Sequence, residues 1–436
     1  MPLRDVLLTL FVLASLPVIL WRPWIGIVVW NWISIMNPHR LSWGFAYDFP
    51  FAQIIAIAVL IGMLFSRESK RLPMARETVV LLLFGLWMVM TTFFALNPDR
   101  AWEQLDKVSK VFLMAFVTMV LMREPKRLEA LVWIIVLSVG FYSVKGGIFT
   151  LLIGGEWIVN GPEGSFISGG NHLGVAIVMT LPLMRYLQLN TSSFWVRHGL
   201  TVAMALTGLS ILGTHSRGAF LGGVAIVFVL IWRSRKRFVL AFGLAITLPI
   251  LFSIMPEKWF DRMETIENYE EDRSALGRIN AWWFAYKLTK DRPIGGGFET
   301  FVPGLFAVYA PDPDDVHDAH SIYFEVLGEH GFPGLFLFLL LAAFTWRSCT
   351  WVIRHARDDP EIQPLADLTS MITVSLVGYA VSGAFVGLGY FDLYYNLIAM
   401  VVIAKTLVKD RLYDLADAAS TEEEFVGGRE AVLTGR

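Results

Sequence analysis

The sequence predicts an all-α polytopic membrane protein with about twelve transmembrane helices. Three observations carry that expectation. Of 436 residues, 55% are hydrophobic and only 17% are charged. The mean hydropathy of +0.56 is too high for a soluble domain. Apolar runs that can cross a bilayer, about 20 residues each, recur from end to end. The length is spent on helices, so residues 1–436 read as a single integral membrane domain, with a long polar loop at 256–331 and a polar tail at 409–436. The net charge of −2 argues against a nucleic-acid partner. The lone cysteine, Cys349, excludes an internal disulfide. The 16 tryptophans suit interfacial belts.

The apolar runs lie at 6–36, 50–65, 78–95, 108–122, 129–152, 171–187, 199–213, 219–232, 238–255, 332–352, 367–388 and 391–408. The first ends its leading half in Trp21-Arg22-Pro23-Trp24 rather than in a small-residue cleavage site, so no cleavable signal peptide is expected. Proline removes a backbone donor and stops a helix, which leaves 6–36 open between one broken helix and two short ones. Orientation follows from the basic clusters. Arg67, Lys70, Arg71 and Arg76; Arg123, Lys126 and Arg127; Arg233, Arg235, Lys236 and Arg237; and Arg354 and Arg357 each follow every second span. The positive-inside rule puts them and the tail in the cytoplasm. The loops 37–49, 96–107, 153–170, 214–218, 256–331 and the turn near 389–391 are then external.

Polar residues of unusual placement gather on the external side. The glycine-rich stretch 153–170 lacks apolar periodicity and reads as an irregular loop able to approach a ligand. It leads into Asn171-His172, where the histidine serves as a helix-end residue or as a functional one. In Thr214-His215-Ser216-Arg217-Gly218, Arg217 lies where an arginine costs a few kcal/mol unless it faces a water-filled cavity or an anion. The bland alternative is snorkelling to the headgroups. Gly218 permits close backbone approach. Lys145, inside an apolar run, is a further candidate cation for such a cavity.

The long external loop carries the densest polar pattern. Ile279, Trp282, Trp283 and Tyr286 recur at helical spacing, which predicts an amphipathic helix beginning at Arg278 with its aromatic groups toward lipid. Arg278 either pairs with Glu270 or Asp272 or grips a phosphate. Pro293 followed by Gly295, Gly296 and Gly297 predicts a turn whose amides face an anion. No Gly-Lys-Ser/Thr follows, so it is not a P-loop. The stretch Asp312–Gly334 then brings His317, His320 and His330 together with several carboxylates beside an apolar span. Asp318 is the expected N-cap of a helix holding His320, whose place in the first turn would favour the neutral imidazole a general base needs. Metal binding by the aspartates and histidines is a rival reading, and a solvated acidic loop is a third. His330 with Gly331-Phe332-Pro333-Gly334 reads as a structural bend leading into the next span.

Three blocks stand in order: Ser216-Arg217-Gly218; Arg278 with Trp282-Trp283 and the Pro293 glycine turn; and His320-Ser321 with Gly328-Glu329-His330-Gly331 and Gly334. The chain thereby resembles the O-antigen ligase and O-antigen polymerase superfamily of bacterial inner-membrane glycosyltransferases. Met36-Asn-Pro-His-Arg40, Ala95-Leu-Asn-Pro-Asp99, Gly146-Gly-Ile-Phe, Thr214-His-Ser-Arg-Gly, Trp259-Phe-Asp-Arg-Met, Gly277-Arg-Ile-Asn-Ala-Trp-Trp and Asp318-Ala-His-Ser-Ile-Tyr-Phe-Glu-Val-Leu-Gly-Glu-His-Gly resemble its branch of exosortase A-associated O-glycosylation ligases. The resemblance implies a GT-C-like helical fold. It implies metal-independent, inverting transfer of a glycan from undecaprenyl diphosphate to the lipid A-core oligosaccharide, on the periplasmic face of the inner membrane. No cofactor is implied. His320, Arg217 and Arg278 match the family's essential histidine and arginines. Ser216, Lys145, Gly296, Gly297, Ser321 and His317 are the expected substrate-binding residues around them. Two arginines holding a diphosphate bidentately stabilise its leaving charge. A histidine beside an acceptor hydroxyl takes its proton. A polymerase or a protein O-oligosaccharyltransferase would share the donor and differ in acceptor. A flippase for lipid-linked sugars would instead carry charge along a path to both membrane faces.

Overall fold

The computed structural model describes residues 3–234, 236–253, 255–264 and 273–434. The acidic run Glu267–Asp272, expected to offer partners to Arg278, lies outside the described residues. The described chain is helical throughout: α1 Leu3–Trp21, α2 Pro23–Asn31 with a π-turn at Trp32–Met36, α3 Phe51–Phe65, α4 Arg76–Phe93, α5 Pro98–Leu121, α6 Pro125–Ile153, α7 Gly169–Asn190, α8 Phe194–Gly213, α9 Arg217–Arg233, α10 Arg237–Phe252, α11 Glu257–Glu264, α12 Arg273–Asp291, α13 Pro303–Tyr309, α14 Ile322–Ala356, α15 Gln363–Ser382 and α16 Asp392–Thr434. Seven of them (α1, α4, α6, α7, α8, α14 and α15) are long and apolar enough to cross a membrane by a strict length and composition criterion. The chain is a multi-pass membrane protein.

Local chemistry sets the boundaries. Proline opens α2, α5, α6 and α13, where its missing N–H costs nothing and its φ suits a helix. Pro98 starts α5 ten residues before its apolar run, because the polar turns from Asp99 to Lys107 continue the same helix. The break at Arg22-Pro23 yields two helices. The Ala46 amide donates to Asp5 Oδ1 at 2.9 Å and Arg4 donates to the Leu41 carbonyl at 3.0 Å. The start of α1 therefore lies beside the chain that follows α2, and the two run antiparallel as a hairpin.

Small residues set how closely the helices pack, as they do when lipid supplies no hydrophobic drive between helices. A Cβ on Gly147 would fall 2.0 Å from the Leu206 carbonyl oxygen, which fixes α6 on α8. The first turns of α16, Leu393 to Ala404, are almost wholly buried and form the centre of the bundle. The loops sort to two ends. At one end Leu96 N donates to Gly296 O at 2.7 Å, Val159 N to Gly213 O at 2.8 Å, and Trp259 Nε1 to Leu212 O at 3.1 Å. At the other, Arg127 binds Glu68 at 2.7 Å and Arg411 binds Asp359 at 3.2 Å. The basic clusters thus gather at the end opposite the long loop.

Candidate functional site

Helix α14 begins where the acidic loop ends, and its start is the frame of the site. Ser321 is the N-cap residue and is buried, with its carbonyl accepting from Glu325 N at 2.8 Å. His320 therefore precedes the helix instead of sitting in its first turn, and Asp318 is not the cap: its Oδ1 accepts from the Ala319 amide at 2.8 Å. The correction has a backbone cause. His320 has φ +42°, in the left-handed region, which turns the chain sharply before the helix can start. Such a conformation costs roughly 1–3 kcal/mol in a non-glycine residue and persists only where its surroundings hold it.

Helix α12 supplies that hold. It begins at Arg273, so Arg278 lies in its second turn. Asn280 clamps the loop, with Nδ2 donating to the carbonyls of Asp312 at 2.7 Å and Asp315 at 2.8 Å and Oδ1 accepting from Asp312 N at 2.9 Å. Trp282 Nε1 donates to the Ala319 carbonyl at 2.9 Å, and its ring stacks on Phe324 at 4.9 Å. Gly277 lies against His317, where a Cβ would meet the imidazole at 2.4 Å. The expectation that this helix turns its aromatics to lipid is corrected in part. Trp283 and Tyr286 are exposed, whereas Trp282 and the fully buried Phe284 face the protein. Asn280 and Trp282 do positioning work that apolar spacing alone does not reveal.

A cavity of about 790 Å³ opens here, lined by Arg273, Ser274, Asp312, Asp315, His317 and His320 among others. His317 Nε2 bonds Asp315 Oδ1 at 2.8 Å. Burial holds the His320 imidazole below the usual 6.5; Asp318 opposes this, and the positive fields of Arg278 and His317 reinforce it. His172, at the start of α7, lies within electrostatic reach of His320 and Asp318. The structure thus brings His320, His317, Arg278 and His172 into one neighbourhood. Among the described residues, no group of three or more His, Cys, Asp or Glu side chains is arranged to hold a metal ion.

Arg217 opens α9 and is half-buried. Ser216 caps that helix, with Oγ accepting from Ala219 N at 3.2 Å, so its hydroxyl is committed first to the backbone. Gly218 abuts Phe385, and Gly383 abuts Ile322. The turn Gly383–Phe385 thus sits between the starts of α9 and α14. Lys145 lies on an exposed face of α6. The glycine turn has a different use from the one expected. Gly296 N donates to Gly328 O and Gly297 N to Glu329 O, both at 2.8 Å, so these amides clasp α14 and do not face an anion.

Beyond the predicted residues stands a buried group that sequence reasoning passed over. Glu329 accepts from Tyr390 Oη at 2.6 Å and from Glu299 N at 2.8 Å, and Glu325 accepts from Gly389 N at 2.8 Å. Their spacing of four on α14 was legible, but their partners come from 64 or fewer residues along the chain in either direction and carry no local signal. His330 has the structural role expected of it: it bonds Thr91 Oγ1 at 2.7 Å and packs edge-on against Phe298. Gly331, with φ +69° and ψ −169°, kinks α14 just beyond it.

Fold and site together define a multi-pass helical membrane protein with a polar cavity where one long loop meets the bundle. Residues 202–339 match the family described as O-Antigen ligase. That stretch contains Arg217, Arg278 and His320, and over it the chain is similar to the O-antigen ligase superfamily, a group of glycosyltransferase-like enzymes. Residues 3–192 match a family of unknown function (DUF5935). Comparison with curated proteins finds no match.

Proposed function

We propose that this chain is an O-antigen ligase of the bacterial inner membrane, transferring a glycan from undecaprenyl diphosphate to the lipid A-core oligosaccharide at a site facing the periplasm. The observation that carries the reading is the neighbourhood at the start of α14: a half-buried histidine lining a polar cavity, its imidazole held below the usual 6.5 by burial and within the field of Arg278, inside the O-antigen ligase segment. In this reading 1–436 is one membrane domain of GT-C-like type. Its crossings are the twelve apolar runs, the first divided into the α1–α2 hairpin; 256–331 is the periplasmic loop and 409–436 the cytoplasmic tail.

The chemistry follows from the residue types. The acceptor hydroxyl oxygen attacks the anomeric carbon from the face opposite the diphosphate. The carbon–oxygen bond to the diphosphate breaks, and its electron pair leaves with the phosphate. His320 takes the hydroxyl proton, which its neutral form permits. Arg278 and Arg217 stabilise the leaving charge, the role a divalent cation often fills. Attack from the opposite face inverts the anomeric centre. His317 lines the approach, Ser321 and Ser216 set the starts of α14 and α9, and Lys145 is a peripheral cation. The exosortase-associated wording keeps a protein or polysaccharide acceptor as the second reading. Transfer assayed separately with lipid A core, with growing glycan and with a peptide acceptor discriminates these; a product only with lipid A core is expected.

A further inference from the structure

The cytoplasmic-type end of the bundle holds a second concavity that transfer chemistry does not use. It has a volume of about 670 Å³ and lies where α4, α14 and α16 converge. Arg76 opens α4 and lies over the Phe344 ring at 5.9 Å. Arg347 and Arg354, seven residues apart, share one face of α14, and Lys405 and Lys409, four apart, share one face of α16. All five line the concavity together with Trp351.

Five cations around one hollow repel one another unless something anionic offsets them. Among the described residues lining it there is one carboxylate, Glu77, which is 1% exposed. It is already engaged, lying 3.6 Å from Lys405 Nζ and accepting from Ser348 Oγ. Arg76, Arg347, Arg354 and Lys409 make no ion pair among the described residues. Topological signalling alone does not explain this. At the same end Arg127 is paired with Glu68 and Glu124, and Arg411 with Asp359 and Glu361. Those arginines, in α6 and α16, lie at the same end and are neutralised; the four in the concavity make no such pair among the described residues. The apolar walls matter too. Phe344 and Trp351 give an occupant's hydrocarbon a surface beneath the cations.

We infer that this concavity binds the phosphate headgroup of an anionic phospholipid, with the acyl chains lying along α14. Basic pockets between transmembrane helices on the cytoplasmic side are suited to such headgroups. The inference is independent of which glycan acceptor the enzyme uses.

The test is native mass spectrometry of the full chain in mild detergent, titrated with phosphatidylglycerol or with phosphatidylcholine of the same acyl chains. Phosphatidylglycerol is expected to bind about tenfold more tightly or better. The triple variant Arg347→Gln, Arg354→Gln, Lys409→Gln is expected to lose that preference, and Arg347→Lys, Arg354→Lys, Lys409→Arg to keep it. Single Arg347→Gln and Lys409→Gln variants, each expected to weaken binding by about two- to fivefold, decide the matter if the triple variant does not fold. Equal binding of the two lipids, or an unchanged preference in the neutral variants, overturns the proposal. Displacement of phosphatidylglycerol by an equal concentration of glycerol 3-phosphate also overturns it, because the site would then take soluble anions.

Discussion

His320 is the residue on which the proposed chemistry turns, and its environment yields two tests. Replacing it with alanine removes the proton acceptor and is expected to lower kcat/KM for transfer by about a hundredfold or more, with helical content unchanged by circular dichroism. The second test is pH. Burial, Arg278 and His317 hold the imidazole below the usual 6.5, against Asp318. Activity that needs the neutral ring rises with pH through that depressed value, so the acid limb of kcat/KM should have its midpoint below 6.5. Arg278→Gln removes a nearby positive charge and should move the midpoint upward as well as slowing transfer. An unmoved midpoint would separate Arg278 from His320. The sign for stability is the same. A histidine whose folded pKa is depressed favours folding above the unfolded value of about 6.5, and the contribution is lost as pH falls through the folded value.

At the scale of the element, α12 and the kinked α14 make the site. Asn280 is buried and makes three hydrogen bonds to the 312–315 backbone. Asn280→Ala strands those groups and should cost about 1–3 kcal/mol, read as a lower unfolding temperature together with weaker transfer. Gly331 occupies a backbone region that essentially only glycine visits, and a Cβ there would lie 1.9 Å from the Pro293 carbonyl oxygen. Gly331→Ala should therefore destabilise by at least about 2 kcal/mol, seen as a lower midpoint in thermal unfolding in detergent. The sequence reading succeeds and fails here for identifiable reasons. Helices, basic loops and the bend after His330 announce themselves through hydropathy, lysine and arginine counts, and the Gly-Phe-Pro-Gly stretch. The cap of α14 does not, because Asp318 and Ser321 are both good N-cap types and only the left-handed turn at His320 decides between them. The glycine turn is misleading in the same way: free amides and amides bound to Gly328 and Glu329 look alike in sequence.

For the whole molecule, the sorting of loops to two ends makes orientation testable. In a Cys349→Ser background, Glu163→Cys lies in the loop that meets the end of α8 and the start of α9, and Arg71→Cys lies with the basic clusters. A membrane-impermeant thiol reagent applied to spheroplasts should label the first, and should label the second only after lysis. The antiparallel α1–α2 hairpin also puts the chain's first described residues at the same end as the long loop. The central claim is transfer by His320 at that end. Its most direct test is purified protein incubated in detergent with undecaprenyl diphosphate-linked O-antigen and lipid A core, with EDTA present, for wild type and His320→Ala. The expected result is a ladder of modified lipopolysaccharide from wild type that is absent from the variant. A ladder of equal strength from the variant, or one that disappears from wild type only when EDTA is added, would contradict the proposed chemistry.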